Sequence, residues 1–199
     1  CIRDSLEESW AQPVLPLDLD GIGVMQAYVL DLNRCFNLNW LATDTDKSQY
    51  KRLQRLLMHL QLSPDLADLI RDWVDSDQQV SGLGAEDSAY QLKTPPHFAA
   101  NQPMLDLSEL NMLIDVDPQE IQVLSKEVCV VPDTGSKINV NTASAQTLYS
   151  LDAAVSIQNA EAIAQSVRNY QTVTEFVQNH PEFTVVQQQL AVRSHYFML

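Results

Sequence analysis

The chain has 199 residues, 45% of them hydrophobic, with 26 acidic against 12 basic side chains and a formal net charge of −14. That length suffices for one sizeable core or two small ones sharing an interface. Such acidity repels phosphate backbones and argues against nucleic-acid binding driven by counterion release. Five glycines rule out a collagen-like or glycine-rich linker composition. No run of about 18 apolar residues is present to span a membrane, and no signal-peptide pattern opens the chain.

The first forty residues stand apart from the rest. Trp10-Ala-Gln-Pro13 begins a loop-rich stretch. Gly21 to Leu32 is apolar and bounded by Gly and Asn, the pattern of a strand. Phe36-Asn-Leu-Asn39 follows after a short polar break.

From Ser48 to about Gln189 the periodicity is helical. Leu53, Leu56, Leu57 and Leu60 share one face, and Leu66, Leu69, Ile70 and Trp73 repeat the spacing. Ser63-Pro64 offers an N-cap and a first-turn proline to the second helix. Asp106 with Glu109 forms a capping box, and Asp117-Pro118 with Glu120 opens another helix. A further helix is expected from Thr142, a next face along Ala160, Ile163, Ala164 and Val167, and a last helix capped by Thr172 and Glu175. Leu190 to Leu199 reads as a strand again, and the chain opens abruptly at Cys1, as expected of a fragment. Strand, helical block, strand predicts a helical domain inserted into a sheet.

Between the helices lies an aperiodic stretch, Asp75 to Pro103, long enough to need a reason for order. Asp75, Asp77, Gln79 and Glu86 occupy positions 1, 3, 5 and 12 of an EF-hand-like frame, and Asp87 follows. Calcium takes six to eight oxygen ligands, which this spacing supplies. Position 6 is Val80 where an EF-hand has Gly, so a calcium loop with a different backbone path is expected. Carboxylates gathered there without a cation repel each other. The alternative is a splayed, solvated loop. The pairs Asp18/Asp20, Asp44/Asp46 and Asp115/Asp117 read as caps or turns.

The cysteines are Cys1, Cys35 and Cys129, with no CxxC pair for zinc. Spacing leaves open whether Cys35 and Cys129 pair or remain buried thiols. The four histidines stand in no catalytic pattern, and GxSxG, HExxH and P-loop motifs are absent. Paired carboxylates suggest a hydrolase only weakly, because no aromatic sugar platform accompanies them. Ile138 to Val167 is similar to a helix-hairpin-helix module, the alternative reading being nucleic-acid binding. The hairpin Leu151 to Ile157 lacks the glycines that bring amides to phosphate, so a packing unit is expected.

Several motifs together carry a family likeness: Phe36-Asn-Leu-Asn39, Asp72-Trp-Val-Asp75-Ser-Asp77, Gly84-Ala-Glu-Asp87 with Tyr90, Ala99-Ala-Asn101, Leu107-Ser-Glu-Leu110 and Asn139-Val-Asn-Thr-Ala143. In this order they resemble the GspK-type minor pseudopilins of the type II secretion system, over roughly residues 10–199. The resemblance implies an α+β fold: a type IV pilin-like antiparallel sheet with a large inserted all-helical domain. Residues 1–40 and 190–199 would form the sheet portion and 41–189 the insertion, divided into a calcium-loop part (41–130) and a helix-hairpin-helix-like part (131–189). It implies calcium on Asp75, Asp77, Glu86 and Asp87, with Gln79 and Ser81 as main-chain or amide ligands, and a disulfide between Cys35 and Cys129. It implies a non-enzymatic subunit that forms the pseudopilus tip with I-type and J-type minor pseudopilins. It also implies a periplasmic place, with the inner membrane reached through an N-terminal helix absent here.

Overall fold

The computed structural model describes residues 11–12 and 15–199. Cys1, Trp10 and Pro13, and the first ten residues of the expected sheet portion, lie outside the described residues. The elements run β1 (Leu17–Asp18), β2 (Val24–Met25), β3 (Leu30–Asp31), β4 (Phe36–Asn37), α1 (Ser48–His59), α2 (Leu66–Val74), α3 (Asp87–Tyr90), α4 (Pro118–Leu124), β5 (Val128–Cys129), β6 (Ile138–Asn139), α5 (Ala145–Leu151), α6 (Ile157–Gln165), α7 (Val173–Asn179), β7 (Leu190–Ala191) and β8 (Phe197–Met198). Among the described residues the strands form small two-stranded sheets, and short helices make up most of the regular structure.

β1 and β2 pair antiparallel, as do β3 and β8, while β4 lies parallel to β5 and β6 parallel to β7. The expected strand from Gly21 to Leu32 is therefore two separate pieces, β2 and β3, with β1 before it. Asp20 and Gly21 both take positive φ, 53° and 76°, and turn the chain between β1 and β2. The expected tail strand is likewise two pieces, because the chain bends between β7 and β8.

One continuous apolar cluster runs from Phe36 to Leu190 and takes in residues of both expected parts of the helical block. Leu53, Leu56 and Leu57 put the apolar face of α1 into it, and Leu66, Ala67, Ile70, Trp73 and Val74 do the same for α2. Asp44 caps α1 from outside: its two carboxylate oxygens accept the Gln49 and Tyr50 amides at 3.1 and 2.7 Å. Ser63-Pro64 does not cap α2 directly. It forms a turn whose carbonyls take the Leu66 and Ala67 amides, so the helix begins two residues after the proline.

Asp106, Asp117 and Thr172 cap as expected, although the Asp106–Glu109 box opens a 3-10 segment, Leu107–Met112. Thr142 does not start α5; Ser144 caps it. The Thr142 hydroxyl donates to buried Asp31, which also accepts from Ser194 at 2.6 Å. Val167 lies beyond α6 and is 78% exposed, so that buried face is carried by Ala160 and Ile163.

Two asparagines weld the centre. The Asn39 amide donates to Met104 O and Val131 O at 2.9 and 3.1 Å, and its oxygen accepts the Met104 amide at 2.7 Å. Asn37 spans Val131, Asp133 and Ser136 in the same manner. Just before β4, Cys35 is bonded to Cys129 of β5, with Cα atoms 5.7 Å apart. Replacing Asn39 with leucine keeps the branched shape but strands the buried Met104 N–H and C=O, while Val131 O keeps its bond from Asn37. Asn39→Leu is expected to cost about 3 kcal/mol or more in urea-induced unfolding; an unchanged midpoint would refute this role.

Candidate metal centre

The acidic loop starts where α2 stops. Asp75 is the residue after the helix; its amide still donates to Arg71 O, but its own backbone is extended, with φ −79° and ψ 167°. The chain then swings outward through exposed Ser76 to Val80 and returns to bury Ala85 and Glu86 just before α3. This path brings Asp75, Asp77 and Glu86 together, each offering an oxygen within 4.8 Å of the others. Asp75 is 9% and Glu86 3% exposed, and Asp77 closes the group on the solvent side.

Two further carboxylates hold the loop in this shape. Asp68 and Asp72 lie one turn apart on the buried face of α2. Asp72 accepts the Ser81 amide at 3.1 Å, and Asp68 accepts the Leu83 amide at 2.9 Å and the Tyr50 hydroxyl at 2.6 Å. The loop backbone presses so closely on these side chains that a Cβ on Gly84 would overlap Asp72, and one on Gly82, at φ 49°, would overlap Asp68. Sequence reading missed Asp68 and Asp72 as loop anchors. The available signal was a pair of acids four apart on an otherwise apolar helix, followed by Gly82 and Gly84.

The expected ligands thus separate. Asp87 stands outside the group of three; its Oδ1 accepts the Ala99 amide at 2.9 Å and ties the loop to the following segment. The Gln79 amide donates to Asp77 at 2.7 Å, and the Ser81 amide is taken by Asp72.

The three gathered oxygens are poorly satisfied by protein. Asp75 Oδ1 and both Glu86 oxygens are buried without a hydrogen-bond partner. Arg71 Nε approaches Asp75 Oδ2 only to 3.8 Å. Burial, reinforced by Asp72, Asp75, Asp77 and Asp87, pushes the Glu86 carboxyl up to about 7. Burial likewise raises Asp72 to about 6, despite the Ser81 donor, with Asp75 and Asp68 adding to the rise. Asp75 is raised by burial and then by Asp77. Buried acceptors without donors, in an all-oxygen set, form a site that a hard cation fits.

The family model described as "Type II secretion system (T2SS), protein K" matches residues 34–133. The chain belongs to the type II secretion system protein K family. The protein K of Pseudomonas aeruginosa is 35% identical over 155 residues, covering 74% of this chain and 46% of the relative. That of Aeromonas hydrophila is 36% identical over 154 residues, covering 69% and 46%. The chain thus spans about half the length of these curated relatives. Among solved structures, a chain in the crystal structure of the GspK-GspI-GspJ complex of the enterotoxigenic Escherichia coli type 2 secretion system superposes with a TM-score of 0.82. It is 28% identical, and the match covers 98% of this chain and 74% of that one.

The α5–α6 segment packs against α1. α1 reaches across it: Arg52 donates to Leu151 O, and Arg55 donates to Tyr149 O and Val155 O while stacking 3.9 Å from the Tyr149 ring centroid. Two carbonyls of the last turn of α5 and one of the connection to α6 are therefore engaged by the protein's own guanidinium groups. Among the described residues no helix is long and apolar enough to cross a membrane.

The raised carboxylates make the cation-free chain pH-dependent in a definite sense. Unfolded, these groups titrate near 4; folded, Asp72 and Glu86 hold their protons to about 6 and about 7. Their stabilising contribution is complete below the unfolded value and is lost as pH rises through the folded one. In excess chelator, stability from this site is therefore expected to fall between about pH 4 and about pH 7, and Glu86→Gln is expected to flatten that fall. Parallel pH profiles of Tm for the two proteins would refute it.

Proposed function

We propose that the protein carrying this chain is a non-enzymatic minor pseudopilin, assembling with I-type and J-type minor pseudopilins at the tip of the type II secretion pseudopilus and helping to initiate it. The observation that carries this reading is the likeness over 98% of the chain to a chain of the GspK-GspI-GspJ complex. The polar chemistry of the chain is consistent with a structural role, since buried Asp44, Asp72 and Arg168 serve as a cap, a loop anchor and a carbonyl clamp.

The finer architecture we propose is a pilin-like sheet with an inserted helical domain. β3 and β8 pair antiparallel, and the whole apolar cluster lies between them in sequence. Residues 1–40 and 190–199 would belong to the sheet portion and 41–189 to the insertion, with 41–130 and 131–189 sharing one core. A periplasmic, membrane-anchored setting agrees with the Cys35–Cys129 disulfide, which persists in oxidising compartments.

Asp75, Asp77 and Glu86 would hold calcium within that insertion. An all-oxygen, carboxylate-rich set favours a hard cation over zinc or copper. Bound calcium would neutralise the three carboxylates, and its binding free energy would add to folding free energy. Asp68, Asp72, Gly82 and Gly84 shape the loop, and Asp87 secures its exit through Ala99.

Two outcomes test this reading. Co-expressed with its I-type and J-type partners, the full-length protein is expected to co-purify with both; an I–J pair that consistently excludes it would overturn the assembly reading. Adding calcium to chelator-stripped protein at pH 7.5 is expected to raise Tm by several degrees, about 2–3 kcal/mol of stabilisation at 100 times Kd. Superimposable melting curves would remove calcium from the account and leave assembly to stand on its own test.

A further inference from the structure

Another buried oxygen points to the same centre. Among the described residues, Asn101 Oδ1 is inaccessible to solvent and has no hydrogen-bond partner, the condition also found for Asp75 Oδ1 and both Glu86 oxygens. Stranding an amide oxygen away from water costs about 1–3 kcal/mol, so a native structure retains one where something else occupies it.

The chain path carries Asn101 toward the three carboxylates. The segment from His97 onward runs alongside α3 in the opposite direction. The His97 amide donates to Tyr90 O at 3.4 Å, at the C-terminal end of α3, and the His97 ring packs 5.2 Å from the Tyr90 ring. Two residues on, the Ala99 amide donates to Asp87 Oδ1 at 2.9 Å, at the N-terminal end of the same helix. A further two residues in that direction bring Asn101 level with the turn before α3, where Glu86 sits. Met104 is then locked to Asn39 through two hydrogen bonds, which fixes the far side of the segment.

We propose that the Asn101 amide oxygen is a fourth side-chain ligand of the cation held by Asp75, Asp77 and Glu86, an inference that rests on the calcium reading above. Three carboxylates supply at most six oxygens even if all bind through both, and calcium takes six to eight. A neutral amide adds a ligand without adding a fourth negative charge to a group already strained by mutual repulsion. It also joins the loop between α2 and α3 to the segment after α3, so one cation would staple both.

The test is calcium titration against a chromophoric chelator at pH 7.5, on the full chain and on Asn101→Ala and Asn101→Asp, with Tm of each in excess chelator. Asn101→Ala is expected to weaken calcium binding by about tenfold or more while melting in chelator somewhat below the parent, because Asn101 has a φ of 49°, where alanine is strained. Asn101→Asp, which keeps an oxygen in place, is expected to bind within a few-fold of the parent or tighter. Unchanged affinity in Asn101→Ala overturns the proposal. So does equal loss in both variants, because it would mean that the amide nitrogen serves as a donor that positions Glu86. If Asn101→Ala does not fold, Asn101→Gly, which suits the positive φ of 49° at this position, takes its place under the same criterion. A parent that binds no calcium at all sinks the calcium reading itself, a result distinct from either variant's failure.

Discussion

Carboxylates confined in a protein interior have three ways to exist: protonated, hydrogen-bonded by donors, or bridged by a cation. The region between α2 and α3 uses the second way for Asp68 and Asp72, whose oxygens collect loop amides and a tyrosine hydroxyl. Asp75 and Glu86 keep oxygens that no donor reaches. The pattern is asymmetric within a few residues. Burial raises both Asp72 and Glu86, and at Asp72 the Ser81 amide works against the rise by favouring the charged form. The acids with donors set the loop's shape, and the acids without them define where positive charge belongs.

A second economy of charge runs through the other half of the molecule. Arg168 is 6% exposed, and its guanidinium donates to Val140 O and Ala143 O at 2.9 and 2.8 Å. Arg52 and Arg55 treat the α5–α6 hairpin in the same way. Planar guanidinium forks suit carbonyls left unpaired at helix ends and turns. A chain with few basic residues places these three on its own backbone, which leaves little cationic surface for a phosphate ligand. α1 is thereby joined to the later helices in one core.

Much of this organisation was legible in the sequence because it depends on local rules. Asp106, Asp117 and Thr172 cap where their spacing to Glu or Pro predicts, and the leucine periodicity of α1 marks its buried face. The acidic loop stood out because Asp75, Asp77, Gln79 and Glu86 fall at positions 1, 3, 5 and 12 of an EF-hand-like frame. What was illegible depends on partners far away along the chain. Thr142 looks like a helix cap, yet its hydroxyl goes to Asp31, 111 residues earlier. Asp68 and Asp72 look like solvent-facing positions until the returning loop covers them. The apolar run after Gly21 reads as one strand, yet β2 pairs with β1 just before it while β3 pairs with β8 at the far end of the chain, partners that local alternation does not reveal. Asp87, which the family resemblance placed in the ligand set, gives one of its oxygens to the Ala99 amide, a partner 12 residues on.

A loop built in this way suits a staple better than a sensor. A calcium sensor needs two packed arrangements separated by a few kcal/mol, so that the ion can select one. Here both flanks of the loop are fixed independently of the three carboxylates. Trp73, one turn before the loop, packs edge-on against Tyr90 of α3 at 5.3 Å and donates to Glu109 at 3.0 Å. Ser81 and Leu83 are held by α2, and Asp87 is held to Ala99. With glycines pressed against Asp68 and Asp72, the backbone has no evident second seat. The cation we propose would therefore act on the stability of an arrangement already specified by packing, relieving the repulsion that burial of Asp75 and Glu86 creates. Such a device favours a rigid subunit, since occupancy would change how firmly the helical block holds its shape rather than which shape it holds.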